Sequence, residues 1–155
     1  MGTRLVLKGR AGLQSFTDGI EAGDIVFNTK KVQLTAAEVL ALFSAPKELL
    51  PAPGAGKYYR VLSVDLNLGF VSAYTIGSAT NLNVHYTNLA GAATCVDLAA
   101  TGFLDAVAST SRIVQTIATN VTPVTNAPLV LALDGANVTG GTSTLEVIIS
   151  YQIIG

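Results

Sequence analysis

The nine residues Leu62-Ser63-Val64-Asp65-Leu66-Asn67-Leu68-Gly69-Phe70 constrain this chain more than any other stretch. Their even positions are apolar and their odd positions are polar or glycine, the period of two that a strand shows when one face is buried and the other wet. The same alternation recurs at Asn81–Thr87, with Leu82, Val84 and Tyr86 apolar, and at Thr144–Ile154, with Leu145, Val147, Ile149, Tyr151 and Ile153 on one side. Ile148 breaks that last pattern by standing on the polar side. Arg112–Ala118 and Pro128–Leu133 read as further strands, Thr94–Leu98 as another, and Glu48–Leu50 as one that runs into Pro51 and Pro53. These runs, cut by Gly, Pro and Asn turns, predict an all-β antiparallel β-sandwich of about eight strands.

One short helix is expected at Thr35–Phe43. Thr35 and Glu38 have the spacing of a capping box, in which each side chain satisfies a free backbone N–H of the other residue. Leu34, Val39, Leu40, Leu42 and Phe43 give it an apolar side, and Pro46 ends it. Gly102–Val107 reads as a possible second helical piece.

At 155 residues the chain fits one domain able to bury roughly 68–70% of its unfolded surface. Residues 1–30 differ in texture and read either as an N-terminal arm or as a first hairpin pairing Leu5–Lys8 with Asp24–Asn28; residues 31–155 form the sandwich. Only 12% of the residues are charged while 50% are hydrophobic. Such apolar surface with so few charges is most simply explained if part of it is covered by other subunits. Ile148, with Leu5, Leu7, Ile25 and Phe27 of the first thirty residues, is the candidate interface set.

The same composition excludes several functions. A net charge of -1 and scattered basic residues argue against nucleic acid as a partner. No apolar run approaches the ~18 residues of a membrane span, and the first ten residues lack a secretory apolar core, so no membrane partner is expected. Cys95 is the only cysteine, which rules out an internal disulfide; it reads as a small buried hydrophobe. The acidic residues stand singly, so no metal and no cofactor is expected. Gly54-Ala55-Gly56-Lys57 superficially suggests a phosphate loop, but Tyr58 follows the lysine and a strand comes next where the motif needs Ser or Thr and a helix. His85, the only histidine, falls on the polar side of its strand and reads as facing solvent. With no nucleophile, base and orienting acid to assemble, no catalytic residue is expected and the chain is read as not an enzyme.

From Lys31 onward the chain resembles small virion proteins of tailed bacteriophages. The resemblance is carried by Val32-Gln33-Leu34-Thr35-Ala36-Ala37-Glu38-Val39, by Glu48 to Tyr59, by Val61–Leu68, and by Gly140 to Val147 with Tyr151. It implies a jelly-roll-like antiparallel β-sandwich and a structural virion protein of the capsid cement or decoration type, a homotrimer on the capsid surface bound to the major capsid protein and made in the host bacterial cytoplasm. The alternative is a tail or fibre domain that holds a host receptor or sugar. Its loops would need aromatic side chains for stacking, and Tyr74 is the only one the loops offer.

Overall fold

The computed structural model describes residues 27–116 and 121–155. Eight strands and one helix follow in the order β1 (Asn28–Leu34), α1 (Ala36–Leu40), β2 (Lys47–Leu50), β3 (Tyr58–Gly69), β4 (Asn81–Tyr86), β5 (Leu98–Ala99), β6 (Thr110–Gln115), β7 (Leu129–Leu133) and β8 (Thr144–Ile154). They make two antiparallel four-stranded sheets, sheet A in the order β1-β8-β3-β6 and sheet B in the order β2-β7-β4-β5. Every connection except β4 to β5 crosses from one sheet to the other, and this ordering is a jelly roll.

The alternation seen in the sequence supplies the core. Leu34 of β1, Val64, Leu66 and Leu68 of β3, and Leu145, Val147 and Ile149 of β8 line the inner face of sheet A. They meet Leu82, Val84 and Tyr86 of β4 and Leu129, Leu131 and Leu133 of β7. Three tyrosines bury their rings there and satisfy their hydroxyls on backbone carbonyls, as a buried phenol must. Tyr59 donates to Pro51 O at 2.6 Å, Tyr74 to Ser143 O, and Tyr86 to Tyr59 O. Burial pushes the Tyr74 phenol up to about 12.

The alternation changes phase within β3. On β3, Tyr59 and Val61 are buried at odd positions while Val64, Leu66 and Leu68 are buried at even ones. A β-bulge reconciles the two: Val61 pairs with Tyr151 and Ser63 with Ser150, so Leu62 is the extra residue that resets the alternation. Leu62 is therefore half-buried, and Phe70, at the far end of the run, is partly exposed. At the end of β8, Ile153 is exposed and Gln152 is buried, the reverse of the expected alternation.

The capping box forms as expected. Thr35 N–H donates to Glu38 Oε2 at 2.8 Å and Glu38 N–H to Thr35 Oγ1 at 3.4 Å. The helix is shorter than its sequence suggests because its exit tightens: Ala41 N–H bonds Glu38 O and Leu42 N–H bonds Val39 O, three residues back. Asn137 Oδ1 then accepts from the N–H of Phe43 and of Ser44, fixing the exit to the β7–β8 loop. The second helical piece does not form. Gly102 takes φ +80, which no α-helix can hold, and Thr101–Asp105 is a set of turns. The strand expected at Thr94–Leu98 is reduced to single bridges at Ala93 and Cys95, with β5 beginning at Leu98.

Candidate functional site

The two outer faces of the sandwich differ, and the difference locates the surface available for contact. Sheet B is closed on the outer side of its two central strands. Asn83 and His85 of β4 and Val130 and Ala132 of β7 point away from the core and are nonetheless buried. Part of the cause lies in residues 91–95, which fold back along β4: Tyr86 N–H bonds Ala92 O, Thr94 N–H bonds Val84 O, and His85 bridges Ala93. Gly91 is required at this approach, because a Cβ there would lie 1.7 Å from Tyr86 O.

His85 is consequently not solvent-facing, contrary to its position in the alternation, and is only 7% exposed. Its Nδ1–H donates to Gly91 O at 2.9 Å, and Nε2 has no hydrogen-bond partner among the described residues. Beside it the Cys95 thiol donates to Asn83 Oδ1 at 3.2 Å, and Asn83 donates to Asp97. Burial pushes the Cys95 thiol up to about 11, the opposite of what a nucleophilic cysteine needs. No group of three or more His, Cys, Asp or Glu side chains is placed to hold a metal among the described residues. Tyr74, the loop aromatic that a receptor reading would use, is 2% exposed with its ring against Gly141, so it offers nothing to a ligand.

Sheet A is open on its outer side, and the register lays out its side chains in rows. One row runs Lys31, Ile148, Asp65, Ile113 across β1, β8, β3 and β6; the next runs Gln33, Glu146, Asn67, Ser111. Neighbouring strands lie about 4.8 Å apart, so each row is a continuous strip. Glu146 is held by Lys31 Nζ at 2.5 Å and by Asn67 Nδ2 at 3.3 Å, and the lysine keeps its carboxyl below the usual range. A shallow trough lined by Gln33, Asn67, Glu146 and Ser111 carries hydroxyls, amides and a carboxylate but no aromatic ring. Branched aliphatics flank it: Ile113 is 75% exposed in the first row, and Val71 and Val107 are exposed beyond the far end.

Of the candidate interface residues, Ile148 sits half-buried in the middle of this open face, where its place on the polar side of β8 had put it. Phe27 is exposed just before β1, while Leu5, Leu7 and Ile25 lie outside the described residues. Ile113 is the member that sequence reasoning missed. The sequence places it within the strand Arg112–Ala118 without assigning a face, because Arg112-Ile113-Val114 does not alternate until pairing with β3 turns Val114 inward and Ile113 out. The sheet edges are blunted by cations in core-facing phase, Lys30 on β1 and Arg112 on β6, a common device against strand-to-strand pairing.

No protein-family model matches the chain, and no curated protein matches it. Among solved structures it is similar to a chain of "Cyanophage Pam1 capsid asymmetric unit", with 17% sequence identity and a TM-score of 0.47 over 92% of this chain and 93% of that one. No described helix is long and apolar enough to cross a membrane.

Proposed function

We propose that the chain is a structural virion protein of a tailed bacteriophage, a capsid cement or decoration protein that binds the major capsid protein and stabilises the head. In this reading it works as a homotrimer at the capsid surface, catalyses nothing and needs no cofactor. The observation that carries the reading is the open outer face of sheet A, where Ile113 stands 75% exposed in one row with half-buried Ile148, while the outward-pointing residues of β4 and β7 on the other sheet are buried. Aliphatic side chains left this open mark a surface meant for another protein. The phage resemblance from Lys31 onward supports the same assignment. The jelly roll is compatible with it and no more, since that architecture also serves lectins and cupins.

Copy number in purified virions is the test. Hundreds of copies per particle are expected for a shell protein; a handful would transfer the chain to the tail, and none would remove it from the virion. Sedimentation of the isolated protein at tens of micromolar tests the trimer, and a monomer there overturns it.

A further inference from the structure

We infer that the outer face of sheet A is where copies of this chain meet, Asp65 of one copy receiving Arg112 of the next, with Ile113 and Ile148 packed beside the pair. The inference rests on the homo-oligomer proposed above and names the surface that builds it.

Charge is the first argument. Within the row Lys31, Ile148, Asp65, Ile113, the lysine is neutralised by Glu146 at 2.5 Å. Asp65 has no cation within 4.0 Å among the described residues, although it is half-buried between two isoleucines. A carboxylate set among aliphatic side chains gains most from a cation that arrives with its own apolar surroundings, because closing the contact removes water from the pair. Arg112 is a cation of this kind on the edge strand next to Asp65's own strand. Arg112 is followed directly by Ile113, and it has no carboxylate within 4.0 Å among the described residues.

Geometry then requires a second molecule. Asp65 is in register with Ile113, and Arg112 with Leu66, whose side chain is in the core. Successive side chains of a strand point to opposite faces, so Asp65 and Arg112 leave sheet A on opposite sides and cannot pair within one chain. The arginine is also held in place before any partner arrives. Its Nη1 donates to Thr110 Oγ1 at 2.7 Å and to Ser111 O at 2.9 Å, and its Nη2 to Gly102 O at 3.4 Å. A guanidinium has five N–H donors, so two remain for a carboxylate, and a side chain already fixed loses little entropy on binding. A contact between a face on one copy and an edge on the next is head-to-tail, the kind that closes into a ring such as a trimer.

Charge reversal with rescue tests this. Asp65→Arg and Arg112→Asp, each alone, are expected to weaken self-association at least about tenfold, and the double variant to recover most of it, read by sedimentation velocity over a concentration series. Lys57→Glu, a reversal away from this face, is expected to leave association unchanged. Circular dichroism and melting confirm that each variant is folded; should Asp65→Arg fail to fold, Ile113→Asp at the 75% exposed position probes the same contact. An oligomer that survives both single reversals and Ile113→Asp overturns this face and leaves the trimer standing. A parent protein that is monomeric overturns both.

Discussion

Gly141 and the ring of Tyr74 define a contact whose cost can be worked out before it is measured. An alanine Cβ at position 141 would lie 2.5 Å from Tyr74 Cδ1 and 2.7 Å from its Cγ, where carbon atoms normally stand about 3.5–4.0 Å apart. The ring must therefore move by about 1 Å, out of a site where it is 2% exposed and its hydroxyl donates to Ser143 O. Overpacking of this kind costs about 1–3 kcal/mol, and loss of the hydrogen bond about 1 kcal/mol. Gly141 also sits at φ +69, where any L-residue adds about 1 kcal/mol of strain. Together these predict a loss of about 3–5 kcal/mol for Gly141→Ala, a fall in Tm of about 6–20 °C for a chain of this size. Gly77 provides the control, because at φ +58 it shares the backbone strain while a Cβ there meets nothing within 4 Å. Gly77→Ala is thus expected to cost about 1 kcal/mol. Urea titration followed by far-ultraviolet circular dichroism reads both, and repeating Gly141→Ala on a Tyr74→Leu background should reduce its cost to that of Gly77→Ala. Equal losses for the two alanine variants on the parent background would refute the ring contact as the cause.

Acid should erode the helix cap. The Lys47 ammonium, then the Thr35 N–H, hold the Glu38 carboxyl at about 2 against an ordinary 4.5, so its contribution is complete above pH 4.5 and is lost as pH falls toward 2. Glu38→Gln is expected to cost about 1 kcal/mol at neutral pH, discounted for an exposed pair, and nothing near pH 2, read as the difference in urea midpoint along a pH series. Thr35→Ala, which removes the other half of the box, should cost about 1 kcal/mol by the same titration. Cys95, with its thiol pushed up to about 11 and buried, should resist a thiol-specific dye in the folded protein at pH 8 and react fully in urea; rapid native labelling would contradict the folded-back 91–95 segment.

Much of this protein is legible without coordinates. Strand periodicity at Val64–Leu68, Leu82–Tyr86 and Leu145–Ile149 reports which residues face a core, because a side-chain period of two leaves the backbone little choice. Thr35 and Glu38 signal the helix start equally well, since a cap is satisfied within four residues. Ile148 announced itself by standing on the wrong side of its own pattern. What depends on residues far apart in sequence was out of reach. The adjacent apolar residues Val61 and Leu62 interrupt the alternation, but that Leu62 is the extra residue of a bulge is decided only by the pairing of β3 with β8. His85 obeys the alternation and is still buried, because alternation says which face a residue takes and not what lies over that face. The segment at residues 91–95 pairs beside β4 and offers Gly91 O to His85, and it becomes a neighbour only once the chain has turned back on β4. Asp65, Arg112 and Ile113 carry no local motif at all. Their meaning comes from the β3–β6 register, which sets a carboxylate with no cation beside it among the described residues and a fixed guanidinium on opposite sides of one sheet, and register is decided by how the two sheets close over their shared core.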